Sequence, residues 1–158
     1  MTRAPGFARI GRAGGKPDLK EAWMIGTEAF DRFVSENRWA VITTVRKSGQ
    51  PSSSVVAYAR EDDTLVVSTT APTLKVRTLE NDPRITITVF NDAAPFNFVT
   101  VEGRCDIERE GLEHATHLVF ENIKGSGFTE PEDLPAWLEQ QRRGILRIHP
   151  ERVSGVIR

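Results

Sequence analysis

The sequence predicts a mainly β protein with minor α content, in which six antiparallel strands close, or nearly close, into a barrel with short peripheral helices. Short runs rich in β-branched residues recur along the chain, and tight turns separate the first three of them. Stretches with helical spacing are few and short, and they lie between or after the strands. Closure into a barrel removes the exposed edges that a free sheet would carry.

The first half of the predicted barrel is one helix followed by three strands. Thr27 is a suitable N-cap for a helix that carries Phe30, Phe33 and Val34 on one face. Turn-forming residues at 47–50 and 61–63 divide the next segment into three strands, which we expect to form an antiparallel meander. The expected strands are 39–45, 53–59 and 64–69.

The second half adds helices and the remaining strands. Helical spacing over 71–81 ends at Asp82-Pro83, and alternating apolar residues over 85–89 predict a half-buried strand. A long strand over 98–107 contains Gly103, and a glycine within a strand often marks a bulge, a bend or a close backbone approach. Helices are also expected over 111–122 and 133–143, and two short strands over 145–148 and 152–157.

The composition indicates one domain, which we place at 21–158, preceded by a tail. The chain has 158 residues, within the roughly 100–200 typical of one domain. Residues 1–20 are rich in glycine and basic residues, so we expect a mobile tail, or alternatively an arm that covers a partner subunit or an anionic ligand.

The charge balance and the absence of long apolar runs limit the partners. Lys plus Arg number 21 and Asp plus Glu 22, which argues against nucleic acid as a partner. No apolar run has the length of a membrane span or a secretory signal, so we expect no membrane partner and a cytoplasmic location.

The segment with the clearest chemistry follows the third strand. It begins with three hydroxyl residues, Ser68, Thr69 and Thr70, and continues into a helix whose first turns carry Lys75 and Arg77. A helix N-terminus presents free N–H groups and a partial positive charge, so cations there are unfavourable unless an anion binds. A phosphate would use the N–H groups, the hydroxyls and the ammonium group together. The alternative is that a threonine only caps the helix and that both cations point into water.

From residue 27 to the C-terminus the chain resembles the pyridoxamine 5'-phosphate oxidase-like FMN-binding split-barrel superfamily. Within it, the chain is most similar to small single-domain oxidoreductases that use FMN or the deazaflavin coenzyme F-420. The order and spacing of the motifs carry the resemblance, because no single motif is specific. The matching segments are 39–45 (WAVITTV), 49–51 (GQP), 53–56 (SSVV), 65–69 (LVVST), Lys75 with Arg77 and Leu79, 81–84 (NDPR), 99–103 (VTVEG) and 145–150 (ILRIHP).

The resemblance implies a split β-barrel homodimer with two cofactor sites between the subunits. Residues matching the family's phosphate site are Ser68, Thr69, Thr70 and Lys75, with Arg77 nearby, and the strand of Ser54, Val55 and Val56 matches the one that lies along the flavin or deazaflavin ring. Many relatives carry a second basic residue two positions before the lysine, where this chain has Thr73. This departure leaves FMN and F-420 both open as the cofactor.

Further predictions concern the walls of that site. Because barrel interiors favour apolar side chains, we expect Val55 and Ala57 in the core, and Ser54 and Val56 beside the cofactor. The last predicted helix closes with Trp137, Gln140, Arg142 and Arg143. Either it presents a solvated basic face while Trp137 covers the core, or it forms a lid whose Trp137 and Arg142 reach the partner subunit's cofactor. The loop 96–98, which holds two phenylalanines, is equally compatible with the core and with a pocket wall.

Other chemistries have weaker support. His114 and His117 lie three apart on a predicted helix, but no third ligand is evident, so no metal site is predicted. Cys105 fits a small buried hydrophobe better than a nucleophile. The serines at 52–54 lack the Gly-x-Ser-x-Gly motif of serine hydrolases.

The sequence therefore predicts an FMN- or F-420-dependent oxidoreductase that moves a hydride between the bound cofactor and a small organic substrate. No side chain is assigned a catalytic role, and the C-terminal substrate-binding signature of true pyridoxamine phosphate oxidases is not evident. One alternative is a non-catalytic flavin carrier, or a haem or tetrapyrrole binder with a histidine ligand. Another is a cofactor-free dimeric interaction module.

The sequence also predicts a homodimer. Four apolar residues do not all fit into one core, and a symmetric partner would cover them: Trp39, Val55, Phe96 and Phe98.

Overall fold

The computed structural model describes residues 23–158, so the predicted tail at 1–20 lies outside the described residues. The described part contains four helices and seven strands. In chain order these are α1 (Glu28–Glu36), β1 (Trp39–Val45), β2 (Pro51–Ala57), β3 (Ala59–Glu61), β4 (Thr64–Thr70), α2 (Leu74–Asn81), β5 (Arg84–Phe90), β6 (Phe98–Glu108), α3 (Glu113–Asn122), α4 (Leu134–Gln140) and β7 (Arg143–Val156). Thr27 caps α1 as predicted, since its hydroxyl accepts a hydrogen bond from the Phe30 N–H at 3.3 Å.

The seven strands form one antiparallel sheet in the order β2-β1-β5-β6-β7-β4-β3. The chain passes from β2 at one edge to β3 at the other through Tyr58 alone, so the sheet curls into a barrel that is split between these edges. This confirms the predicted fold class, although the sheet has seven strands and not six. Tyr58 divides the predicted strand 53–59 in two, and the two strands predicted at the C-terminal end form one. Both antiparallel pairings of the predicted meander are present, β1 with β2 and β3 with β4. The three strands are not neighbours in one continuous order, because the break at Tyr58 places β2 and β3 at opposite edges.

Tyr58, the residue between the two edges, is held from several sides. Its side chain is fully buried, and its hydroxyl donates to the carbonyl oxygen of Val34 on α1 at 2.5 Å. Its own carbonyl accepts a hydrogen bond from the side-chain amide of Asn122 on α3 at 2.8 Å. Burial raises the pKa of the Tyr58 phenol far above its usual value, so the hydroxyl remains a donor at any ordinary pH.

The last strand, β7, is continuous where two short strands were expected. It pairs with β6 over its whole length, with a register shift at which Glu102 faces Arg152 and Gly103 faces Pro150. The extra residue, Glu151, forms a bulge, and a bulge accommodates a proline without ending the strand. The close approach predicted at Gly103 is confirmed, because a Cβ there would lie 2.1 Å from the carbonyl oxygen of His149.

Two apolar clusters stabilise this arrangement. The main core fills the barrel, and α2 adds Val76 and Leu79 to it. The second cluster lies where α3 and α4 pack on the outer side of β3, β4 and β7, and its buried members include Leu112, Val119, Leu138, Val66 and Ile145. None of the helices within 23–158 has the length and apolar character needed to cross a membrane.

The valines of β2 face in the directions opposite to those predicted. Val56 is buried in the main core, whereas the side chain of Val55 is 68% exposed. Alternation therefore places Ser54 on the inward side with Val56, and Ser53 on the outward side with Val55. The prediction that Val55 lies in the core is wrong. The run SSSVVA has no alternation of polar and apolar residues, so it does not determine which face turns inward.

Candidate functional site

The segment with the predicted phosphate chemistry lies where β4 ends, α2 begins and β7 begins. The backbone of Thr70 at the end of β4 pairs with Arg143 at the start of β7. The link to α2 is fixed by a hydrogen bond from the Ala71 N–H to the carbonyl oxygen of Arg142 at 2.8 Å. The start of β7, which is far from β4 and α2 in sequence, is thus joined to the link between those two elements at one corner of the barrel.

Arg143 is the central side chain of this corner. Its guanidinium donates to the Ser68 hydroxyl, with Nη2 at 2.9 Å and Nε at 3.3 Å. The same guanidinium lies over the Trp137 ring, 4.7 Å from the ring centroid, which is within the range of a cation–π contact. Trp137 is oriented in turn by an edge-to-face contact with Phe120, with the ring centroids 5.7 Å apart. The guanidinium is therefore held in place before any ligand binds.

Lys75, on the first turn of α2, lies close enough to Arg143 to be affected by its charge. Partial burial lowers the pKa of Lys75, and the positive charge of Arg143 lowers it further. Burial also lowers the pKa of Arg143. Within residues 23–158 neither cation forms an ion pair with a carboxylate. Two partly buried cations without an anion are electrostatically unfavourable, and a bound anion would reverse the sign of that interaction.

The N-terminus of α2 adds donors to the same corner. Thr73 occupies the N-cap position, but its side chain forms no capping hydrogen bond, and no acidic residue lies in the first turn. The hydroxyl oxygen of Thr73 is buried and has no hydrogen-bond partner. The N–H groups of the first turn are therefore not satisfied by a side-chain cap, which is the arrangement that accepts an anionic group.

Of the five residues predicted at or near the phosphate, three lie at the corner around Arg143 and two do not. Ser68 and Thr70 lie on the face of β4 that Arg143 also contacts, and Lys75 is adjacent to Arg143. Thr69 lies on the opposite face, toward the barrel interior, and is only 5% exposed. Arg77 is exposed on α2 and makes no side-chain hydrogen bond or ion pair within the described residues.

Trp137 and Arg142, the residues predicted for the lid, also lie in different surroundings. Trp137 packs against the second apolar cluster and lies beneath the Arg143 guanidinium, so it contributes to both the core and the corner. Arg142 is exposed, has a left-handed backbone with φ of 50°, and acts through its carbonyl oxygen. Of the two arginines, the sequence favoured Arg142 as a cofactor contact, whereas Arg143 is the one that contacts Ser68 and Trp137. Strand alternation relative to Ser68 would have distinguished them only if the first residue of β7 had been known.

The β2 residues predicted to meet the cofactor ring lie on different faces. Ser54 is half-buried on the inward side and Val56 lies in the core, whereas Val55 points outward. Val55 faces Val41 across the ladder, Val41 faces Thr88, and Thr88 faces Thr100. We call the outward surface of β2, β1, β5 and β6 the outer sheet face.

Apolar side chains continue along the edge of the outer sheet face. Phe90, Phe98 and Val156 are direct cross-strand neighbours, and each is more than one third exposed. Phe96, in the loop before β6, is 75% exposed. Of the two alternatives for the loop 96–98, a place in the core is therefore wrong. Monomeric soluble proteins rarely expose contiguous apolar surface of this kind without a partner.

The remaining reactive residues lie elsewhere. Cys105 is buried, and burial raises the pKa of its thiol to about 12, so it stays protonated at neutral pH. The imidazole of His149 lies 2.8 Å from Asp106 on the neighbouring strand, and that of His114 lies 3.3 Å from Glu61. These residues do not contribute to the corner around Arg143.

Comparison with known proteins agrees with this architecture. The family model described as pyridoxamine 5'-phosphate oxidase matches residues 27–157. None of the curated proteins matches the chain by sequence. Among solved structures, the chain is similar to a conserved hypothetical protein from Mycobacterium tuberculosis, with 25% identity and a TM-score of 0.68 over 85% of this chain and 86% of that one.

Two further structures share the fold. One is called F420 reductase, with 19% identity and a TM-score of 0.66 over 81% of this chain and 98% of that chain. The other is a FAD-binding protein from Mesorhizobium loti, with 24% identity and a TM-score of 0.62 over 83% of this chain and 94% of that chain. At these identities the likeness extends to the fold alone.

Proposed function

The chain belongs to the pyridoxamine 5'-phosphate oxidase family, and from this premise we propose that it is an FMN- or F-420-dependent oxidoreductase. In this proposal the cofactor phosphate binds at the corner formed by the end of β4, the start of α2 and the start of β7. FMN is the first candidate and the deazaflavin F-420 the alternative. A cytoplasmic location, expected from the sequence, remains part of the proposal.

The pairing of Lys75 with Arg143 carries the proposal. Each is a partly buried cation with a lowered pKa, and neither has a carboxylate partner within 23–158. The Ser68 hydroxyl already binds Arg143, and the buried Thr73 hydroxyl lacks a partner. A phosphate group has the negative charge and the acceptor oxygens to satisfy all of these groups at once. The residues present therefore fit the phosphate end of either cofactor.

The chemistry would be that of the cofactor, which supplies hydride transfer when it is bound. The protein's own contribution begins with placement, because a guanidinium fixed between Trp137 and Ser68 fixes the position of the anion that it holds. Two cations at one end of the ligand also lower the free energy of its anionic phosphate. No side chain of the described residues needs to act as a general acid or base in this proposal.

The proposal includes a two-fold symmetric homodimer in which the outer sheet faces of the two copies pack against each other. The small β-branched residues there, Val41, Val55, Thr88 and Thr100, are cross-strand neighbours and form a continuous row on which a second copy could pack closely. The exposed Val55 and the apolar edge around Phe98 would be covered in the same contact. The ring of the cofactor would then lie between subunits, where water is excluded more fully than on one barrel.

The experiment compares two neighbouring arginines. Tag-free protein is titrated with FMN and with F-420, and the Arg143→Gln and Arg142→Gln variants are titrated in parallel. Loss of a hydrogen bond to a charged group costs about 1.5–3 kcal/mol, so Arg143→Gln should weaken binding roughly 10- to 150-fold. Arg142→Gln, an equal change of charge at an exposed position, should alter affinity by less than about threefold.

Three results would contradict the proposal in different ways. Equal loss in both variants would mean that general charge, not the corner, binds the phosphate. If neither FMN nor F-420 bound, the proposed oxidoreductase activity would be excluded. A Soret band in the purified protein, with FMN affinity absent, would favour the haem- or tetrapyrrole-binding alternative. Where a cofactor binds, bleaching of its visible band by a reductant and its return on adding an oxidising substrate would test hydride transfer.

A further inference from the structure

His117, Glu121 and Glu130 converge on the side of α3, apart from the corner around Arg143. His117 and Glu121 are four residues apart on α3 and therefore project from one side of the helix. Glu130 comes from the segment between α3 and α4, and its carboxylate oxygens lie 3.0 and 2.8 Å from His117 Nδ1. One potential ligand atom from each of the three residues lies within 4.8 Å of the other two.

The charges of this cluster are unbalanced. The side chain of Glu121 makes no hydrogen bond or ion pair within the described residues, so its carboxylate is not neutralised there. It lies in the last turn of α3, where the helix dipole is negative, and that turn contains no basic residue. Glu130 brings a second carboxylate to the same place. With a neutral imidazole the three side chains carry two negative charges, which equals the charge that a divalent cation would neutralise.

We propose that His117, Glu121 and Glu130 form a binding site for a divalent transition-metal ion. The imidazole selects against Mg²⁺ and Ca²⁺, which prefer ligand sets made only of oxygen, and favours ions such as Zn²⁺. Ligand atoms around one tetrahedral Zn²⁺ lie roughly 3.3–3.5 Å apart, given bonds of about 2.0–2.2 Å. Small side-chain rotations would bring the cluster from its present spacing to that geometry.

The backbone limits how far these ligands need to move. Asn122, next to Glu121, donates hydrogen bonds to the carbonyl oxygens of Asn37 and Tyr58, at 3.0 and 2.8 Å, and so fixes the end of α3. Any movement of the backbone is thus confined to the Glu130 segment. Glu121 also lines a groove of about 530 Å³ together with Arg60 and Leu118. Three protein ligands leave a coordination position for water, and a small ligand could reach that position from the groove.

This site was not evident in the sequence. His114 is three residues from His117 and forms the more conspicuous pair, but its imidazole faces Glu61 on β3. The third ligand, Glu130, is separated from His117 by a loop that contains two glycines with positive φ, Gly125 and Gly127. Only the path of that loop brings the carboxylate back to α3.

The test uses Zn²⁺ alone and tag-free protein. Calorimetric titration should show one saturable equivalent in the wild type. Glu121→Gln and Glu130→Gln should each weaken Zn²⁺ binding about 10-fold or more, since even residues that only orient a ligand often cost 10- to 100-fold. Glu113→Gln and His114→Asn, exposed changes on the same helix, are the matched controls and should bind Zn²⁺ as the wild type does.

A second measurement reports on the loop. Tryptic cleavage after Lys124 should slow when Zn²⁺ joins Glu130 to α3, and this protection should be absent in Glu130→Gln. The proposal is overturned if no saturable binding occurs at millimolar Zn²⁺, or if Glu121→Gln binds as tightly as the wild type. It is also overturned if His114→Asn abolishes binding, because the two histidines would then be the ligands. Circular dichroism of each variant establishes that the fold is retained.

Discussion

The guanidinium of Arg143 lies between two partners of different kinds, the hydroxyl of Ser68 at 2.9 Å and the face of the Trp137 ring, whose centroid is 4.7 Å away. The first is a neutral acceptor and the second is an aromatic quadrupole. Neither neutralises the positive charge. Arg143 is therefore oriented without being paired, and this is the property that makes it available to an anion.

Removing the aromatic partner should loosen this orientation. A cation–π contact contributes about 0.5–2 kcal/mol, depending on its exposure. We expect Trp137→Leu to weaken FMN or F-420 binding, and to do so less than Arg143→Gln. Trp137→Phe, which keeps an aromatic face, should restore most of the affinity. Fluorescence or absorbance titration measures both variants, and equal affinities for leucine and phenylalanine would show that the ring has no role in binding.

Lys75→Ala should weaken cofactor binding by about 1.5–3 kcal/mol, the range for a hydrogen bond to a charged group. Thr70→Ala removes only a neutral hydroxyl on the same face, and we expect a smaller loss of about 0.5–1.5 kcal/mol. Lys75→Arg is the charge-preserving control. Titration of the folded variants with each cofactor measures whether the loss of affinity is larger for Lys75→Ala than for Thr70→Ala. If Lys75→Ala bound both cofactors as tightly as the wild type, Lys75 would not be part of the binding site.

The lowered pKa of Lys75 predicts a pH dependence of stability in the protein without ligand. Burial and the charge of Arg143 disfavour the protonated amine in the folded state. The cost is greatest below the folded-state pKa and disappears as the pH rises through it toward the unfolded-state value. Lys75→Met should therefore be more stable than the wild type near neutral pH, with a difference that shrinks at alkaline pH. Urea unfolding at several pH values measures this, and a difference that grows with pH would contradict it.

A charge on the outer sheet face should prevent the proposed dimer. Val55 and Phe128 are equally exposed, at 68%, but Phe128 lies in the loop after α3. Val55→Asp would bury a carboxylate in the dimer interface, whereas Phe128→Asp serves as the matched control. Light scattering should show a monomer of 17.6 kDa for Val55→Asp and a dimer for both the control and the wild type. A wild-type monomer at micromolar concentration would contradict the dimer itself.

Cys105 should be unreactive while the protein is folded. Burial raises the pKa of its thiol to about 12, and the carboxylate of Asp106 acts in the same direction. Since the thiolate is the reactive form, alkylation at pH 8 should be slow in the native protein and fast in urea. Mass spectrometry after timed alkylation checks the ratio. Rapid native labelling would mean that the barrel opens locally at β6.

The sequence allowed accurate predictions where alternation or capping was strong. β5 was evident because Ile85, Ile87 and Val89 alternate with polar residues, and all three are buried. The cap at Thr27 and the close approach at Gly103 follow from residue chemistry that few other positions offer. The fold class followed from these elements together with the resemblance.

The remaining features depend on contacts between distant residues. β2 is a run of serines and valines, so which valine turns inward is decided by packing within the barrel and not by pattern. The family's second cation is missing at Thr73, but Arg143, 70 positions later in the chain, lies beside Lys75. Likewise Glu130 joins His117 only through the path of a loop. Residues this far apart in sequence are brought together by the antiparallel pairing of β4 with β7, or by loop conformation.

Tyr58 has a consequence for how the barrel fluctuates. Edge strands are usually where a sheet frays first, because each lacks one neighbour. Here the two edges end at the same residue, whose N–H is bonded to the carbonyl oxygen of Arg38 and whose carbonyl is bonded to Asn122. Neither edge can peel away without displacing the other and two helices. The split should therefore open only as part of a large cooperative unit, and the Tyr58 amide should belong to the most slowly exchanging protons of the chain.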